Sequence, residues 1–133
     1  MRELAGRLSI TAATDVSDGL AVDLPRLLAA SRKAAAVSLD ALPLSEGFND
    51  LTAAVGCDRL TLCKAGGEDF EVLFAAPRAQ REAIDRAGRE LGLRLTRIGT
   101  IEDGPPGRVR WLDREGNELR PNVEGYDHFR GTL

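Results

Sequence analysis

Apolar residues recur along this chain at two spacings, and each spacing names an element. Leu20, Leu24, Leu27 and Leu28 fall at helical intervals, which predicts a helix from Asp18 to near Ser31. Pro25 lies inside that stretch. It has no N–H for the helical ladder, so a kink is expected there. A start at Asp23 would put Pro25 in the first turn, where proline is tolerated. The sustained leucine spacing favours the single kinked helix, with Asp18 capping its first turn. Helical spacing returns at Ala79, Ala83, Ile84, Ala87 and Leu91, opened by Pro77 and closed by Gly92. Residues 35–39 and 70–75 read as strands, and residues 94–101 alternate well enough for another. Residues 109–112 and 118–119 flank Asp113-Arg114-Glu115-Gly116-Asn117, the pattern of a hairpin.

Other stretches are less decided. Residues 1–14 look like a lead-in, a short polar helix or tail ending in the β-prone Ser9-Ile10-Thr11. Pro43-Leu44-Ser45 reads as a turn, with Ser45 capping a helix through about Val55 that Gly56 closes. Residues 58–65 leave strand and helix both open. Asp103-Gly104-Pro105-Pro106-Gly107 is a turn cluster. The mixture predicts an α+β domain, a mixed sheet with helices packed on it. Leu20, Leu24, Leu27, Leu28, Val72, Phe74, Ile84, Leu91 and Ile98 are expected to form one core.

Composition narrows the classes. A chain of 133 residues can bury one core, and 43% hydrophobic with 29% charged residues is ordinary for a globular domain. A net charge of −3 argues against a phosphate-tracking nucleic-acid surface. No apolar run approaches the roughly 18 residues of a membrane span, and the start has no signal-peptide core. Cys57 and Cys63 are too few and too close for a secreted disulfide framework. A cytoplasmic location with reduced thiols is the expectation.

Two acidic motifs stand out from this background. In Thr14-Asp15-Val16-Ser17-Asp18-Gly19-Leu20, two carboxylates bracket a hydroxyl at the expected helix entrance. First-turn N–H groups face outward there and suit phosphate, while the carboxylates suit Mg²⁺. Carboxylates alone repel phosphate, so the metal is what makes such a site work. The plainer alternative has Asp18 as a cap and Asp15 as a turn residue. In Gly66-Gly67-Glu68-Asp69-Phe70-Glu71, the glycines permit close ligand approach, and Glu68 is either a ligand contact or a solvated strand start. His128 is the only histidine, which makes a zinc site unfavourable. Tyr126 and Phe129 either stack on a heterocycle or pin the C-terminal tail. The chain shows no P-loop lysine pattern and no nucleophile setting, and no catalytic residue is assigned.

Taken in order, Asp15-Val16-Ser17-Asp18-Gly19-Leu20, Leu42-Pro43-Leu44-Ser45, Gly66-Gly67-Glu68-Asp69-Phe70-Glu71, Ile98-Gly99 and Gly125-Tyr126-Asp127-His128-Phe129 resemble the C-terminal half of the thiamine-monophosphate kinase family. The resemblance runs from about residue 12 to residue 129. It implies an α/β/α-layered, partly ferredoxin-like domain, similar to the C-terminal domain of aminoimidazole ribonucleotide synthetase. Residues 1–11 would be the lead-in and 12–133 the kinase-type domain. It implies ATP-dependent phosphorylation of thiamine monophosphate to thiamine diphosphate. By the same resemblance Asp15 and Asp18 would bind Mg²⁺, Ser17 would contact ATP, and Glu68 and Tyr126 would contact the thiamine phosphate. Phe70 stands where the family usually has Tyr, and Ser31-Arg32-Lys33 replaces a more usual Ser-Gly turn. The family enzyme carries a further N-terminal domain that this chain does not contain. The chain alone is therefore expected to be silent, its site completed by that domain, a partner chain or self-association. The alternatives are a stand-alone binding module of the same fold, or a superfamily relative acting on another substrate.

Overall fold

The computed structural model describes Leu4, residues 6–43, Gly47, Ala54 and residues 71–119. Apart from Gly47, a turn residue, and Ala54, which is helical, the expected helix over 45–55 lies outside these residues, as do Gly56, residues 58–65, the glycine pair, Glu68, Phe70 and the tail with Tyr126 and His128.

Strand β1 (Ala12–Val16) holds Asp15. Asp15 therefore belongs to a strand and not, as expected, to a helix entrance. Helix α1 (Leu20–Ala30) follows after a short turn. Its N-cap is Gly19 at φ 97°, a backbone region that side chains disfavour, and no side chain caps the helix. The expected cap at Asp18 is thus corrected: the start lies two residues later. Pro25 sits in the interior of α1, as the single-helix reading requires. The hydrogen bond that proline forfeits is outweighed by packing, since Leu24 and Leu28 on the same face are buried.

Beyond α1 come β2 (Ala34–Ser38), a 3₁₀ turn at Leu39–Ala41, and β3 (Glu71–Ala75). A second 3₁₀ turn (Arg78–Gln80) leads into α2 (Arg81–Leu91), then β4 (Gly99–Glu102), β5 (Val109–Leu112) and β6 (Glu118–Leu119). Among the described residues β1 and β3 form an antiparallel ribbon. The other strands form a mixed sheet ordered β4-β2-β5-β6, with β2 antiparallel to β4 and parallel to β5. The expected mixed sheet and the 109–119 hairpin are both present.

Among the described residues the expected single core is corrected to two clusters. Leu24, Leu28, Ala35, Val37, Leu39 and Trp111 make the first, joining α1 to one face of the mixed sheet. Leu4, Leu8 and Ala87 make the second, where α2 packs on the lead-in with Ile84 and Leu91 alongside. In β3 it is Leu73 that packs on the first cluster. Side chains alternate along a strand, so Val72 takes the other face and is 44% exposed. Phe74 is half-buried. Strand β4 is shorter than residues 94–101 suggested. It begins only at Gly99, where pairing with Val37 of β2 starts, and before it Leu95 packs on the second cluster and Ile98 on the first.

Candidate functional site

The site grows from the junction of β1 and α1. The β1–β3 register sets Asp15 opposite Val72 and Val16 opposite Glu71. The start of β3 thus lies beside the end of β1 from which Ser17 and Asp18 emerge. Val16 is buried, while Asp15, Ser17 and Asp18 are exposed. All three residues assigned from sequence to metal and ATP therefore lie at the surface within one strand end and its turn.

Asp23 holds this turn in shape. It is 6% exposed, the buried charged residue among those described. Its Oδ2 accepts the N–H of Ser17 and the N–H of Asp18, each at 2.9 Å. Its Oδ1 accepts from Arg26 Nη1 at 3.2 Å. Burial pushes the Asp23 carboxyl up, but the two N–H donors and Arg26 outweigh it and hold the pKa below the ordinary carboxylate value. Arg26 Nη1 also donates to Asp18 Oδ2. That Asp18 contact raises the Arg26 pKa above its usual value, and Asp23 adds to the effect.

Neither Asp23 nor Arg26 was singled out from sequence. The available signal was an aspartate next to Leu24 on the apolar side of a helix's first turn. An acid buried there needs donors, and the N–H groups of the preceding turn are the nearest supply. Glu68 and Tyr126, the two expected substrate contacts, lie outside the described residues.

Among the described residues no three His, Cys, Asp or Glu side chains converge as a metal cage. Asp15 and Asp18 offer hard carboxylate oxygens with a hydroxyl, Ser17, between them in sequence. Mg²⁺ is often held by one or two carboxylates, with waters and phosphate oxygens completing its shell. The donors fit that open mode and do not fit a closed protein site.

The family described as AIR synthase related protein, C-terminal domain, matches residues 1–112, and the chain belongs to it. Several of its relatives are thiamine-monophosphate kinases. The thiamine-monophosphate kinase of Rhodopirellula baltica is 40% identical over 103 residues, covering 74% of this chain and 32% of that protein. The crystal structure of thiamine-monophosphate kinase from Stenotrophomonas maltophilia superposes with a TM-score of 0.66 at 38% identity, covering 80% of this chain and 32% of that one. The structure of AaThiL complexed with AMPPCP and TMP gives a TM-score of 0.65 at 25% identity, covering 90% and 34%. The chain spans about a third of the length of the relatives it matches.

Proposed function

We propose that this chain is the C-terminal part of a kinase that phosphorylates thiamine monophosphate to thiamine diphosphate with ATP. The observation that carries the reading is the turn ordered by Asp23, which presents Asp15, Ser17 and Asp18 together at the surface. Similarity to thiamine-monophosphate kinases supports the substrate, as does the likeness to a structure complexed with AMPPCP and TMP.

In this reading Asp15 and Asp18 hold Mg²⁺, Ser17 meets ATP, and Glu68 and Tyr126 contact the thiamine phosphate. Bound there, Mg²⁺ would offset charge on the phosphate oxygens. The chemistry is one displacement. An oxygen of the substrate phosphate forms a bond to the γ-phosphorus of ATP, the bond from that phosphorus to the β–γ bridging oxygen breaks, and ADP leaves. Such a transfer depends on positioning and charge neutralisation. The described chain supplies an ordered turn and a hydroxyl, and no general base is required of it. The rest of the ATP site is assigned to the portion of the relatives that this chain does not span. It follows that the chain alone is inactive and that its partner is that portion, a separate chain, or a second copy. A cytoplasmic location is part of the same proposal.

The test is a panel of phosphate acceptors assayed with ATP and Mg²⁺ after the remaining two-thirds of a relative is supplied. Thiamine monophosphate should be the preferred acceptor, and Asp15→Asn should reduce turnover about 100-fold or more, the scale of losing a preorganised electrostatic partner, without changing the melting temperature. Preference for an unrelated acceptor would move the chain to another branch of the family.

A further inference from the structure

One carboxylate at the head of α1 has two claimants. Arg26 reaches back eight residues from within the helix to Asp18 Oδ2. The same Nη1 donates to Asp23 Oδ1 at 3.2 Å. The N-terminal end of a helix carries the positive end of its dipole and is a poor place for a guanidinium. Two carboxylates therefore account for its position. They differ in kind: Asp23 is buried and tied to two backbone N–H groups, whereas the Asp18 side chain is 56% exposed. Arg26 itself is 64% exposed.

We propose that Arg26 is the resident counter-ion of Asp18, and that a divalent cation takes Asp18 by displacing the guanidinium, which stays tethered to Asp23. The inference rests on the reading of Asp18 as a Mg²⁺ ligand. Its physics is exchange of one cation for another. An ion pair between exposed groups is weak, so a divalent ion can outcompete it. A guanidinium left against the same carboxylate would repel the incoming ion. Its second anchor lets it withdraw without being released, because only one of its two carboxylate contacts is lost. Before the ion arrives, Arg26 offsets the charge of Asp18 and Asp23, while the shape of the turn is held by the two N–H bonds to Asp23.

The experiment titrates the chain with Mg²⁺ and follows the Ser17 and Asp18 amide signals and the Arg26 Nε–H signal by NMR. In the unaltered chain, saturation should move the Arg26 signal, while the Leu28 amide stays fixed as a report on the fold. Arg26→Gln should bind Mg²⁺ about 3- to 10-fold more tightly, the range set by a weak exposed pair plus one removed repulsion. Arg26→Lys, which keeps the charge and loses the planar fork, should fall between the two. Asp18→Asn should bind far more weakly than any of them. If Asp18→Asn loses binding while Arg26→Gln binds no more tightly than the unaltered chain, the exchange is wrong and the metal reading stands. An Arg26 signal unmoved at Mg²⁺ saturation also overturns the exchange, and needs no substitution. If Asp18→Asn binds Mg²⁺ as well as the unaltered chain, or if no form binds, the metal reading fails and the exchange with it.

Discussion

Asp23 shows why a buried charge need not be a liability. Two N–H donors and a guanidinium satisfy it, so the charge stays and organises the turn around itself. Replacing it with Ala should leave those donors unpaired. The Ser17 and Asp18 amides should then lose hydrogen-exchange protection first, with a lowered melting temperature, while Arg26→Gln should spare both amides. Elsewhere, carboxylates set the acid limb of stability. The Arg110 fork holds Glu102 below its ordinary value through bonds of 2.8 and 3.0 Å. Lys33 does the same for Asp103, and the Asn117 side chain for Asp113. Each folded-state pKa is depressed, so each contribution is present above the unfolded pKa of about 4 and is lost as pH falls through the folded one. The melting temperature should be level above that range and drop below it. Glu102→Gln should flatten the drop more than Asp103→Asn, because the Asp103 side chain is 93% exposed and well screened. These side-chain partnerships were illegible in the sequence. Glu102 and Arg110 meet across the alanines of β2, through a register no local pattern encodes.

Elements were legible where one neighbour dominates their packing. The leucine spacing of α1 answers to a single sheet face, and both its existence and its passage through Pro25 could be read. The strand sought over 94–101 begins only at Gly99, because its pairing with β2 starts at Val37, a register that local alternation does not encode. Helices α1 and α2 also end alike, by different chemistry. Gly92 takes φ 63° after α2, with the Leu93 N–H on the Gly88 carbonyl at 2.9 Å. Arg32 takes φ 51° after α1, with the Lys33 N–H on the Leu28 carbonyl at 2.9 Å. This is the loop in which the chain departs from the family's Ser-Gly turn, and the backbone there still adopts the conformation glycine favours. Arg32→Gly should therefore stabilise by up to about 1 kcal/mol, and Gly92→Ala should destabilise by about 1–2 kcal/mol, as read by urea denaturation. Gly99→Ala fails for another reason: a Cβ there would stand 2.3 Å from the Ala36 carbonyl oxygen. Its cost should be about 1–3 kcal/mol. Leu28→Ala in the first cluster should cost about 2–5 kcal/mol, whereas Val72→Ala should stay within about 0.5 kcal/mol.

At the scale of the whole molecule, the domain is a platform with an ordered acidic turn at one junction. The ordered motif series made the family legible, because short runs of Asp, Ser and Gly in a fixed order are more specific than apolar periodicity, which many folds share. The fold that presents them was legible only in part, since strand order and the split of the core depend on contacts distant in sequence. The chain spans about a third of the length of its relatives, and on the proposed function it would supply one face of a site between polyanions. The most direct measurement is production of ADP and thiamine diphosphate from ATP and thiamine monophosphate, by the purified chain alone and after addition of the remaining two-thirds of a relative. The account predicts no turnover by the chain alone, turnover on addition, and loss of that turnover in Asp18→Asn. Turnover by the chain alone, or turnover on addition that Asp18→Asn leaves intact, would contradict it.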